Sequence, residues 1–278
     1  MSMVKILALT DIHMKAAGRT IIGLDPYENF KRGFNHAVSR HPDAKRIILM
    51  GDLTNSGTMN EYTRVAEIIA DCQIPITLMC GNHDQRNNLT AAFPNTPTDN
   101  NGFVQDAFIY GNTRVLTTDT QFGPPFLSYA HLGQYCEKRF AWLLDQLQQA
   151  KLARQSVALF AHHPPMKVGF KGMDQIRMRD DKRMLETLTT AGVPVHFLCG
   201  HIHRTISGSW HGHGFTVFKS TCHQMPLAFE NPDLSLSTAE PAAYGVILLT
   251  NEGIIAHSED FDIAEDDVQP ATEAMPNT

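Results

Sequence analysis

Five short apolar runs organise the chain: residues 4–9, 47–50, 74–79, 157–161 and 195–199. They are nearly continuous rather than alternating, the pattern of strands buried on both faces. Helical periodicity fills the gaps between them. Asp25-Pro26-Tyr27-Glu28 has the form of an N-cap, a proline at the first helical position and a capping-box glutamate. Phe30, Phe34, Ala37 and Val38 then recur at helical spacing. Thr58 and Glu61 repeat the capping-box spacing before Tyr62, Val65, Ala66 and Ile69. Phe140, Leu143, Leu144 and Leu147 mark a third helix, and Met184, Leu185 and Leu188 a shorter fourth. Alternation of strand and helix predicts an α/β protein with its sheet layered between helices.

Each apolar run ends in a polar segment. These are Asp11-Ile12-His13, Gly51-Asp52, Gly81-Asn82-His83-Asp84, His162-His163-Pro164 and Gly200-His201-Ile202-His203. In open α/β sheets ligands bind beyond the carboxyl ends of the strands, so segments distant in sequence can converge there. Taken singly, Asp11, Asp52 or Asn82 reads as a helix cap or turn former. Taken together, the five segments mix Asp, Asn and His almost without Cys, the donor chemistry of a site for two metal ions.

The order Asp-x-His, Gly-Asp, Gly-Asn-His-Asp, a later His before Pro, then Gly-His-x-His resembles the calcineurin-like metallophosphoesterases over nearly the whole chain. Within that family the chain is most similar to the bacterial phosphodiesterase branch of class III cyclic-nucleotide phosphodiesterases and glycerophosphodiesterases. His162 to Pro165, with Gly169, Met173 and Asp174 downstream, carries that likeness, as does His223-Gln224-Met225-Pro226. The resemblance implies a four-layer αββα sandwich with two central mixed β-sheets and a dinuclear metal site at the strand C-terminal ends. Beside the first sheet, the runs 205–210, 215–219, 244–249 and 254–258 are expected to form the second. The same resemblance implies that Asp11, His13 and His203 hold one divalent ion and Asn82, His162 and His201 the other. Asp52 would bridge them, with Mn, Fe or Zn as the metals. His83, a non-ligand, would stabilise or protonate the leaving group, oriented by Asp84. The implied reaction is hydrolysis of small phosphodiesters, such as cyclic nucleotides or glycerophosphodiesters, by a metal-activated hydroxide. A phospholipid headgroup-releasing phosphoesterase and a non-catalytic metal-binding scaffold of the same fold stay open as alternatives. A homodimer or higher homo-oligomer is expected from the same branch.

Composition narrows the remaining classes. The 278 residues are 42% hydrophobic, enough for a sizeable core. No apolar run approaches the ~20 residues that span a bilayer, and residues 4–9 are too few for a signal peptide. Five cysteines without paired spacing fit buried thiols in a reducing cytoplasm rather than a zinc site. A net charge of −6 argues against binding of long nucleic acid, and so against a nuclease. The metallophosphoesterase domain is expected over 1–262, and the acidic, proline-containing stretch 263–278 as a disordered tail. Among the other histidines, His163 reads as packing beside the ligands, His211 and His213 as a hairpin tip, and His223 as a candidate pocket residue. His36, His41, His131, His196 and His257 read as surface, cap or core residues. Segments 14–24, 55–60, 124–133, 166–179 and 222–234 are expected to rim the site. They offer Lys15, Arg19, Lys167, Lys171 and Arg177 for an anionic substrate; Phe122, Phe126, Tyr129 and Phe170 are candidates to stack on a base.

Overall fold

The structure, a computed structural model, describes residues 3–123 and 131–263. The expected tail from 264 onward, and Phe126 and Tyr129 of the expected rim, lie outside the described residues. Strands β1 (Val4–Leu9), β2 (Arg46–Leu49) and β3 (Ile76–Leu78) are parallel neighbours. A hairpin of β4 (Asp106–Tyr110) and β5 (Thr113–Thr118) opens a second sheet. It continues in parallel through β6 (Ser156–Ala161) and β7 (Val195–Cys199). The antiparallel pair β8 (Ile206–Trp210) and β9 (His213–Val217) closes it, with β9 parallel to β7. Strands β10 (Ala243–Leu249) and β11 (Ile254–Asp260) then return to the first sheet, β10 antiparallel to β1. The orders are β11-β10-β1-β2-β3 and β4-β5-β6-β7-β9-β8, so both sheets are mixed.

The apolar runs are continuous because each strand serves two cores. In β1, Ile6 and Ala8 face the second sheet, while Leu7 and Leu9 face the helices α1 (Pro26–Arg40) and α2 (Met59–Ile69). In β6, Ala158 and Phe160 face the first sheet. Its Val157, Leu159 and Ala161 face the other helical layer, which includes α4 (Glu137–Leu152) and α5 (Asp181–Ala191). Three cores separate four layers, as expected. Asp25 caps α1 by accepting from the Tyr27 N–H behind Pro26, and Phe30, Phe34 and Ala37 are its buried stripe. At α2 the Thr58–Glu61 capping box is fully formed, with Tyr62 and Val65 turned inward.

Strand membership departs from expectation. Runs 244–249 and 254–258 belong to the first sheet, and 157–161 and 195–199 to the second. Strand β10 is central: Tyr244 and Val246 pack on the helix side and Ile247 and Leu249 between the sheets. Its apolar run signals a buried strand, but the choice of sheet depends on the long connection before it. The hairpin β4–β5 and the short helix α3 (Arg86–Ala92) were not expected. Gly111-Asn112 between β-rich runs is the signal that marks the hairpin. Helix α3 is too short for periodicity.

A buried ion cluster locks α3 and α4 to the loop after β5. Asp119 accepts from Arg86 Nε at 2.6 Å and Nη2 at 2.9 Å, with Arg139 Nη1 3.6 Å away. Arg139 Nη1 also donates to the Asp119 and Gln121 carbonyls at 2.8 and 2.9 Å. Gln121 Nε2 in turn donates to the carbonyls of Gly81 and Asp84. Removing one partner of a buried pair strands the other's charge, at a cost of about 3–5 kcal/mol. Asp119→Ala is therefore expected to lose about that much stability in urea unfolding. A loss below about 1 kcal/mol, the scale of an exposed pair, would show the cluster to be solvated.

Candidate metal centre

All five polar segments follow strand C-termini: Asp11 and His13 after β1, Asp52 after β2, Asn82 and His83 after β3, His162 after β6, and His201 and His203 after β7. The two sheets bring these ends to one cavity of about 400 Å³, lined by His13, Asp52, Asn82, His83, His201 and His203 among others. His162 lies fully buried behind it, its Nε2 3.3 Å from Asp52 Oδ2.

The backbone there is unusual. Asp11, His13, Asp52, His201 and His203 all have φ between 48° and 70°. Left-handed backbone costs an L-residue with a Cβ about 1–2 kcal/mol, so something must hold it. The loops hold each other. Asp11 N donates to Gly51 O at 3.1 Å, His13 N to Asp52 O at 2.9 Å and Met14 N to Leu53 O at 3.1 Å. His201 N donates to both Asp11 carboxylate oxygens, at 3.2 and 3.0 Å, and Ser220 Oγ to Asp11 O at 2.7 Å. Two glycines allow the close approach. A Cβ on Gly81 would fall 2.2 Å from Asp52 Oδ1, and one on Gly200 would fall 2.7 Å from Asp11 Oδ2.

Backbone carbonyls fix the rings. His162 Nδ1–H donates to Met50 O at 2.9 Å, His203 Nδ1–H to His223 O at 2.9 Å, and His83 Nδ1–H to Asn55 O at 2.9 Å. A ring that donates through Nδ1 presents Nε2 as its free donor atom. His201 is reversed: Nε2–H donates to Ile176 O at 3.2 Å and leaves Nδ1.

The donor spacing tests the fit to a cation. His13 Nε2 and His203 Nε2 are 3.0 Å apart, and His203 Nε2 is 3.2 Å from Asp11 Oδ1. His13 Nε2 lies 4.0 Å from Asp11 Oδ1 and 3.7 Å from Asp52 Oδ2. With bonds of ~2.1 Å, adjacent octahedral ligands stand ~3.0 Å apart and opposite ones ~4.2 Å. The spacings of 3.0 and 3.2 Å therefore fit adjacent positions of one coordination shell, and the 4.0 Å spacing is close to that of opposite positions. His162 Nε2, Asn82 Oδ1, His163 Nε2 and His223 Nδ1 are buried without a hydrogen-bond partner. Orphans of this kind are rare in folded proteins and call for an ion or water. The residues present fit divalent metal.

Charge points the same way. Burial alone would raise the Asp11 carboxyl, but the His203 and His162 imidazoles outweigh it and hold it well below the usual range. Burial opposes protonation of His162, yet the Asp52 and Asp11 carboxylates push it up to about 9. The carboxylates that favour a proton on His162 would favour a cation there for the same reason. Burial, aided by His162, takes His201 down to about 3 and leaves it a neutral donor.

Several residues differ from expectation. Asp84 does not orient the His83 ring. Its carboxylate accepts from the N–H groups of Leu53, Thr54 and Gly81 and the hydroxyls of Thr54 and Tyr62, tying the loops after β2 and β3 together. Burial, then the Asp52 charge, pushes Asp84 up to about 6. His131, expected as a surface, cap or core residue, lines the cavity: its Nδ1 accepts from Asn82 Nδ2 at 3.0 Å, and its ring lies 5.3 Å from that of His83. It falls within the segment 124–133 expected to rim the site, but no motif singles it out. The expected rim cations are absent from the described lining: Arg177 is spent on Asp181 and the Asp174 carbonyl. Phe170 is buried against Phe229. His223 does line the cavity, 5.2 Å from His13 between ring centres. His163 packs beside His201 and meets Thr120 Oγ1 at 2.7 Å.

A family model described as calcineurin-like phosphoesterase matches residues 4–205. The chain belongs to that family. The match spans all five polar segments of this calcineurin-like phosphoesterase and ends before β8. A protein of Rhodopseudomonas palustris named a probable cyclic nucleotide phosphodiesterase is 33% identical over 259 residues, covering 92% of each chain. One of Arcobacter nitrofigilis named a probable glycerophosphodiester phosphodiesterase is 26% identical over 261 residues, covering 91% of this chain and 92% of that one. A dimetal phosphatase from Danio rerio shares the fold at a TM-score of 0.69 and 12% identity, covering 93% of this chain and 96% of that one. Calcineurin-like phosphoesterases use divalent metals, and this chain has residue groups spaced to hold them. Among the described residues no helix is long and apolar enough to cross a membrane.

Proposed function

We propose that this phosphoester hydrolase is a dinuclear-metal phosphodiesterase for small diesters, cyclic nucleotides or glycerophosphodiesters among them. The reading is carried by the clustering of seven donors at one cavity, five of them in its lining, beside the His83 imidazole. Asp11, His13 and His203 would hold one ion, and Asn82, His162 and His201 the other, with Asp52 shared; the N/O donor set suits Mn, Fe or Zn. Two such ions supply Lewis-acid activation of water and neutralise charge on phosphoryl oxygens.

The chain's own residues do the rest. Asp52 fixes the His83 backbone through Oδ1, which accepts from His83 N at 2.8 Å, and keeps Oδ2 for the centre. Asn55 and His131 flank the His83 ring and leave its Nε2 for the cavity. When protonated, His83 donates that proton to the departing alkoxide. Hydrolysis adds water across one P–O bond and releases an alcohol and a monoester. His131 holds the Asn82 amide through Nδ2, which leaves the buried Oδ1 for an ion.

The diester assignment is supported by the names of the two relatives and by room beside the metal donors for a second ester arm. With manganese-reconstituted protein, kcat/KM for bis-p-nitrophenyl phosphate is expected to exceed that for p-nitrophenyl phosphate by at least about tenfold, ~1.4 kcal/mol of transition-state binding. A ratio below one at the same metal loading and pH would make the protein a monoesterase.

A further inference from the structure

The cavity has a second side that the metal chemistry does not use. Met173, Ile176, Met225, Leu234 and Leu236 line it beyond the histidines. Met173 and Met225 are almost fully buried and continue into the core under β6 and β7, with Ile176 and Leu236 packed against that core. Among the described lining residues, Asp52 is the one carboxylate, and there is no lysine or arginine.

This wall is built, not incidental. Its two segments are bound to each other and to the metal donors. Asp174 accepts from Val168 N at 2.7 Å and Gly169 N at 3.2 Å, closing the loop that carries Met173 and Ile176. Lys171 N donates to Phe229 O at 3.0 Å, and a Cβ on Gly172 would stand 2.9 Å from Leu234 Cδ2 and the Pro232 carbonyl. Thr238 N and Gln224 N exchange bonds with each other's carbonyls at 2.8 and 2.9 Å. Met225 N donates to His203 O at 3.1 Å, and Ile176 O accepts from His201. The wall therefore sits at a fixed place relative to both donor histidines.

We infer that this wall sets specificity by holding the ester arm that stays on phosphorus, and that it selects an uncharged, apolar, ring-bearing arm over a polyol arm. The inference rests on the diesterase reading, in which His83 serves the departing arm. A glyceryl arm laid on this wall would give up hydrogen bonds to water, which is unfavourable; Ser235 and Ser237, beside the two leucines, already donate their hydroxyls to Asp233 Oδ1 and the Ser235 carbonyl. An apolar arm gains by leaving water. Two thioethers adapt to a ring face better than branched aliphatic chains do. A charged arm would find no counter-ion there.

The test holds the leaving group constant. Manganese-loaded protein is assayed with p-nitrophenyl phenyl phosphate and p-nitrophenyl glyceryl phosphate. The expected kcat/KM ratio is at least about tenfold in favour of the phenyl arm, ~1.4 kcal/mol. Ile176→Asn and Leu236→Asn are each expected to bring that ratio below about threefold, with an unchanged circular dichroism spectrum. Calorimetry on the loaded protein is expected to find phenyl phosphate binding more tightly than glycerol 1-phosphate. Turnover of both diesters with a wild-type ratio at or below one overturns the inference and leaves the diesterase reading intact. No turnover of either overturns the diesterase reading. Equal calorimetric affinities overturn the wall's role in either case.

Discussion

Asp52→Ala is expected to lower kcat/KM by at least about 10³-fold, about 4 kcal/mol, and to reduce bound metal from two ions to at most one. Asp52 stands between the two donor sets: its Oδ2 is 3.3 Å from His162 Nε2 and 3.7 Å from His13 Nε2. In the proposed two-metal centre, removing the shared carboxylate would leave two cations facing each other without the charge that screens them. It also frees the His83 backbone, whose N–H donates to Asp52 Oδ1 at 2.8 Å. Asp52→Asn separates these effects, because it keeps the shape and the acceptor but loses the charge. Elemental analysis beside steady-state kinetics reads both variants. An alanine variant that keeps two ions and full turnover would exclude a bridging role.

His83→Ala is expected to keep both ions and lose about 10²–10⁴-fold in rate, the range of general acid–base catalysis. The ring is not needed to hold a donor in place. Its Nδ1–H is taken by the Asn55 carbonyl, and Asp52 is held by the His83 main chain, which alanine retains. The loss should shrink for p-nitrophenolate, a good leaving group that departs with little protonation, and be greatest for an alkoxide. Equal losses for both leaving groups would assign His83 a structural part through its contacts with the His13 and His131 rings, at 4.7 and 5.3 Å.

Much of this site is legible in the sequence because one rule makes it so. Strands with two buried faces read as apolar runs, and the first polar residues after them lie at the mouth of the sheet. Asp11, Asp52, Asn82, His162 and His201 are found that way without knowing strand order. The capping residues Asp25 and Thr58 are equally local. What stays hidden is whatever depends on long-range pairing. Strand β10 looks the same beside β1 as it would in the other sheet. Asp119 looks like any turn former until Arg86 and Arg139 close on it. Asp84 is adjacent to His83 in the chain, yet its carboxylate faces the opposite loop, because five donors await it there. His131 follows a glycine- and proline-containing stretch with no periodicity, and only the fold brings it to Asn82.

The reciprocal bonds among the loops have a consequence for assembly. His201 and His203 follow Asp11 far along the chain, yet His201 N is held by the Asp11 carboxylate across a separation of 190 residues. During synthesis, half of the donors wait for the other half until β7 has joined the second sheet. A metal ion bound across both halves would favour the finished fold over partial chains. Binding then shifts the folding equilibrium by mass action, about 2.7 kcal/mol at a hundredfold excess over the dissociation constant. Ions bound there would thus add stability to the fold that carries them.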